Sequence, residues 1–215
     1  MIGRILRQAA LAASALAMSA ALAAARRPPD PELSSPEAIR TLHDFGVCLA
    51  RNHSARSRVA DILTMDLRTE AARDAVRDLI GEHDPCVASS RVFYYVTSSS
   101  SLLFAGAIAE AYLPRDRDLA TLVAYDPARP PLQAQSEVEV MSLCTVRAAP
   151  AAVAGLFATQ PATPEEAAAL RALAPQLGQC LRAGTQSRVN GPEVRAMLAL
   201  AAWRLAAANG ATAGR

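Results

Sequence analysis

The chain contains no lysine: all 22 of its basic residues are arginine. That absence excludes a phosphate-cradling P-loop, whose lysine reaches the nucleotide, and any Schiff-base mechanism. Histidine is nearly as scarce, with three in 215 residues. Neither an HExxH helix nor a GxSxG turn occurs, so no zinc-protease motif and no hydrolase nucleophile elbow is written in the chain. Aromatic residues are only 4% of the total. None of the four cysteines has a neighbour at the short spacing that a tight tetrahedral zinc site prefers.

Net charge is the next scarcity. The formal value is +2, and it has a local origin. Residues 1–25 read as a secretory signal: Arg4 and Arg7 are followed by an apolar run from Ala9 to Ala25, with small residues at Ala21-Leu22-Ala23 and Ala23-Ala24-Ala25 where a signal peptidase cuts. The run is mostly alanine and close to the lower limit of about 17 residues for a membrane span, so a cleaved signal is preferred to an anchor. Two of the 22 basic residues lie in it, and the remainder balances the 20 acids. A neutral mature chain has neither the footprint of a nucleic-acid binder nor a polybasic membrane patch. A periplasmic or secreted protein without an integral span after signal removal is therefore expected.

Cys48, Cys86, Cys144 and Cys180 are separated by 38, 58 and 36 residues. Two nearly equal spans around a longer one suggest a repeated unit. Cys48-Leu49-Ala50-Arg51 resembles Cys144-Thr145-Val146-Arg147 at an offset of 96. From Val59 onward an offset of 94 pairs Val59 with Val153, Ile62 with Leu156, Thr69 with Thr163 and Cys86 with Cys180. An even cysteine count in an exported chain predicts disulfides. Of the three possible connectivities the duplication selects Cys48–Cys86 and Cys144–Cys180, each copy closing on itself.

Helical signals fill both copies. Ser35-Pro36-Glu37 starts a helix reaching about Arg51, and Val59, Ile62 and Leu63 mark a second. Thr69-Glu70 opens a third with Ala72, Val76, Leu79 and Ile80 on one face, and Leu102–Leu113 forms a fourth. In the second copy the starts are near Gln135, Pro150, Thr163 and Asn190. Glu137-Val138-Glu139-Val140 alternates like a strand, but the preceding copy argues for helix. The predicted fold is all-α, a tandem repeat of two four-helix modules, each stapled by one disulfide. The modules span 35–113 and 133–208, joined by a connector over 114–132 with a short helix at Leu119–Val123. Residues 26–34 and 209–215 are expected to be disordered.

Few residues offer chemistry. His43, His53 and His83 stand near acids and could form an acid–base or metal site, though surface helix positions are the plainer reading. Arg51 and Arg147 recur three residues after the first cysteine of each copy, either as paired anion-binding points or as cations at helix C-termini. Val92–Val96 is an apolar run containing Tyr94 and Tyr95, either a contact surface or core. No cofactor is called for.

The combined pattern is a Cys-x-x-Arg, an Ala/Val-rich helix, a Thr-capped Glu helix, a second Cys, and a closing helix such as Ala105-Gly106-Ala107-Ile108-Ala109-Glu110-Ala111-Tyr112. It resembles a group of uncharacterised exported proteins from GC-rich alphaproteobacteria, over about Ser35 to Leu205. The second copy departs at the closing helix, where Leu200 or Arg204 replaces the acid. The resemblance implies export and a helical repeat, and it brings no activity. The expectation is a non-enzymatic helical module that binds an envelope protein, another envelope component or a second copy of itself. The rival is an envelope hydrolase or metal-dependent enzyme using the three histidines.

Overall fold

The computed structural model describes residues 35–82, 86, 101–182 and 189–211. The signal region, His83, Tyr94 and Tyr95 lie outside the described residues. Nine α-helices and a 3₁₀ turn make up the described secondary structure: α1 Pro36–Arg51, the turn His53–Ala55, α2 Arg56–Thr64, α3 Glu70–Glu82, α4 Ser101–Tyr112, α5 Leu119–Val123, α6 Glu137–Ala148, α7 Pro150–Phe157, α8 Pro164–Cys180 and α9 Gly191–Ala208. No strand occurs among the described residues.

Local chemistry explains where helices begin. The side chains of Ser35, Ser136, Thr163 and Asn190 accept the backbone N–H of Ala38, Glu139, Glu166 and Glu193 respectively. Caps of this kind are worth about 1 kcal/mol each. At the strand-like stretch the cap decides for helix. Ser136 satisfies an orphan N–H, and Glu137 and Glu139 place negative charge in the positive first turn of α6.

Burial follows the side-chain pattern. In α1 the stripe Ile39, Leu42, Phe45 and Leu49 faces inward, and in α3 the stripe Ala72, Val76, Leu79 and Ile80 does the same. α4 and α9 are apolar nearly all round and form the central pair, the expected place for such helices. α1 covers α4 on one side, while α6 covers α9 on the other, with α8 behind α6. One core runs through the whole assembly, including Phe104, Ile108, Val153, Leu156, Leu198 and Leu205. Phe45 and Phe104 meet with ring centroids 5.7 Å apart.

Both disulfides form as the spacing predicts: Cys48–Cys86 and Cys144–Cys180. Cys48–Cys86 ties the last turn of α1 to a residue four positions past the end of α3, and Cys144–Cys180 ties the last turns of α6 to the final residue of α8. Such bonds persist in oxidising compartments outside the cytoplasm. No single described helix is long and apolar enough to cross a membrane. The pair α6 and α7 is so only when taken together, and it bends by 101°.

The C-terminal end departs from expectation. A disordered tail is expected from residue 209, but Asn209–Ala211 are tied down. Gly210 adopts φ 70°, Ala211 N–H reaches back to the Ala206 carbonyl, and the Asn209 amide donates to the carbonyls of Leu122 and Ala124. The glycine permits the left-handed turn that closes the helix. The bonds to Leu122 and Ala124, which flank the end of α5, then hold the turn in place.

Candidate functional site

Glu110 of α4 and Arg195 of α9 are charged residues buried within largely apolar helices. They meet where the two helices cross. Arg195 Nε donates to Glu110 Oε2 at 2.8 Å, and Nη2 donates to Glu110 Oε1 at 2.7 Å, a two-pronged pair. Its Nη1 donates to Glu166 Oε1 at 3.1 Å and to Thr159 Oγ1 at 3.2 Å, and Nη2 also reaches the Thr159 carbonyl. Arg195, Glu110 and Glu166 are 5%, 6% and 4% exposed. Charges this deep survive only when fully partnered.

His43, on α1, joins the cluster. Its Nε2 donates to Glu110 Oε1 at 3.3 Å. Burial alone would raise the Glu110 carboxyl, but the hydrogen bonds from His43 and Arg195 outweigh it and hold the group below its ordinary value. Burial likewise disfavours charge on Arg195, and the bonds to Glu110 and Glu166 overcome it, so the guanidinium is more firmly protonated than usual. Glu166 is fixed by the chain itself. Its other oxygen accepts the N–H of Ala162, a non-glycine residue at φ 57°, from the turn that leads into α8. Left-handed backbone at alanine is uncommon and costs energy, which the cluster offsets.

The cleft beside this cluster is small. Ile39, Leu42, His43, Gly106, Ala107 and Pro192 surround about 30 Å³, room for a water and little else. Close approach of the helices explains the size. A Cβ on Gly106 would collide with the Ala196 backbone, and one on Gly46 would stand 2.7 Å from the Ala107 carbonyl oxygen.

A second site lies across the central pair. Here Arg204 of α9 pairs with Glu139 of α6 and donates to the Gln133 carbonyl at 3.4 Å. Glu139 Oε2 also accepts the Gln135 N–H at 2.6 Å, the same device that fixes Glu166. Arg204 is 9% exposed, and burial pushes its guanidinium below the usual range. The adjoining groove measures about 730 Å³. Leu102, Val138, Met197 and Leu200 supply apolar lining, and Asp66 and Arg68 stand at its edge. Those two are paired with each other: hydrogen bonds from the Arg68 side chain and backbone hold the Asp66 carboxyl at about 2.

Among the described residues with side-chain chemistry singled out from sequence, His43 alone enters a buried cluster. His53 sits in the 3₁₀ turn against the Arg56 guanidinium. Arg51 and Arg147 are exposed in the last turns of α1 and α6, and Arg147 stands over the Tyr125 ring at 5.6 Å. Among the described residues no group of three or more His, Cys, Asp or Glu is arranged to hold a metal. The sequence reading missed Arg195 and Glu166 altogether. The available signal was a charge inside an apolar helix, which is buried only when paired.

No family model, no curated protein and no solved structure matches the chain.

Proposed function

We propose that this is an exported, non-enzymatic helical module made by internal duplication, and that it binds a component of the cell envelope through the groove beside Arg204. The observation carrying this reading is the contrast between the two charged sites, one beside a cleft of about 30 Å³ filled by its own side chains and one beside a groove of about 730 Å³.

Support for the duplication comes from the cysteine offsets. The offset of 96 that relates Cys48 to Cys144 also relates His43 to Glu139. The offset of 94 that relates Cys86 to Cys180 relates Gly106 to Leu200, Glu110 to Arg204, Ser101 to Arg195 and Leu102 to Ala196. Each of these pairs contributes one residue to the cleft and one to the groove. Support for export comes from the signal-like residues 1–25 together with two disulfides.

The rival reading, a hydrolase or metal-dependent enzyme, draws on the contact of His43 with Glu110. Arg195 already engages both oxygens of that carboxylate, and a cleft of about 30 Å³ admits no substrate. The groove is the better place for function.

Photo-crosslinking in cells tests the proposal. A photoreactive residue at Leu200 should give envelope adducts, and one at Leu103, beside the closed cleft, should give none. The mature N-terminus should lie near Ala24 or Arg26. Equal or absent adducts, or a cytosolic chain beginning at Met1, would contradict it.

A further inference from the structure

We infer that the groove beside Arg204 takes a small amphiphile carrying one carboxylate and an apolar chain. This rests on the proposed binding role and names its ligand class. The closed cleft shows what a guanidinium in this fold can hold. There Arg195 is shared by two carboxylates, donating two bonds to Glu110 and one to Glu166.

Arg204 serves fewer acceptors. Its partners among the described residues are one carboxylate, Glu139, and one carbonyl at 3.4 Å. A guanidinium has five N–H donors, enough for a second carboxylate. Adding a guest carboxylate would give the open site the composition of the closed one: two carboxylates around one buried arginine. Burial holds the Arg204 guanidinium below its ordinary value. Glu139 Oε2 accepts the Gln135 N–H, and its Oε1 faces the Arg204 guanidinium. The rim cation Arg68 is likewise engaged, by Asp66 and the Gln135 carbonyl.

The rest of the guest is set by the walls. Leu102, Val138, Met197, Leu200 and Ala201 offer apolar contact. A volume of about 730 Å³ lies in the range of pockets that enclose small ligands.

Decanoate, below its micelle concentration, is the probe, measured by calorimetry on the mature chain with both disulfides intact. It should bind, and 1-decanol should bind about tenfold or more weakly, because it lacks the charge-assisted bond. Acetate should not bind, for want of the chain. The double variant Glu139→Gln/Arg204→Gln removes the ion pair without stranding either charge. It should weaken decanoate about tenfold and leave 1-decanol unchanged. Leu200→Trp, which fills the groove and leaves the ion pair in place, should abolish binding of both. No decanoate binding, equal affinity for decanoate and decanol, or undiminished decanoate binding in the double variant would overturn the inference. Leu200 adducts in cells combined with no decanoate binding would overturn this ligand class and leave the broader binding role standing.

Discussion

On one side of the central helix pair Gly106 lies against Ala196, and the helices close over a buried arginine cluster. On the other side Leu200 and Leu102, which occupy the matching positions in the proposed duplication, line an open groove. Small residues let two backbones approach, whereas branched ones hold them apart. The charges differ in the same sense. Glu110 in the closed cleft has Arg204 as its counterpart, and Arg195, which fills that cleft, has only Ser101. A few differences of size and sign thus separate a small cleft filled by its own side chains from a groove of about 730 Å³.

The largest losses should come from the disulfides. If the halves are built alike, removing Cys48–Cys86 or Cys144–Cys180 by paired Cys→Ala changes should cost similar amounts, roughly 4 kcal/mol each in the chain-entropy model, because the loops span 38 and 36 residues. Urea unfolding measures both; a large loss for one bridge and none for the other would separate the halves.

Next comes the helix crossing. Gly106→Leu gives the closed side the residue of the open side. Overpacking against Ala196 should cost about 1–3 kcal/mol or more. Tolerance of leucine, measured as an unchanged Tm, would remove the steric basis of the contrast.

Acid should weaken the Glu110 site. Glu110 is held below its ordinary value of 4.5, so the unfolded chain takes up this proton at a higher pH than the native chain. Its stabilisation is complete above that value and is lost as pH falls through the lower native value. Unfolding free energy should therefore fall more steeply below pH 4.5 in the natural chain than in Glu110→Gln. Parallel curves would mean that Glu110 is not held as an anion.

Least affected should be the exposed arginines. Arg51→Ala should shift stability by less than about 0.5 kcal/mol. Arg147→Ala, which also loses the contact with the Tyr125 ring, should cost about 0.5–1 kcal/mol. Losses of several kcal/mol would give these positions a role that their exposure does not.

Much of this fold can be read from caps and periodicity. Ser35, Thr163 and Asn190 announce their helices because each offers an oxygen to an orphan N–H one turn along. Cysteine spacing carries the connectivity because it registers with the apolar positions. The site is less legible. His43 draws notice as a histidine, yet its role depends on Glu110, 67 residues away, and on Arg195, 85 residues beyond that. Glu166 reads from sequence only as a capping glutamate; its second oxygen turns to Arg195 through a tertiary contact that no local pattern encodes. The hints were a charge inside an apolar helix and the replacement of the acid in the second closing helix by Leu200 or Arg204.

The central claim is that one arginine seals its half while the other borders a groove open to water. Equilibrium unfolding of Arg195→Met and Arg204→Met, side by side at neutral pH, tests it most directly. Removing Arg195 leaves Glu110 and Glu166 buried beside a cleft too small to hydrate them, and should cost about 3–5 kcal/mol. Removing Arg204 leaves Glu139 beside about 730 Å³ that water can enter, and should cost about 1–2 kcal/mol. Equal losses, or a larger loss at Arg204, would contradict the account.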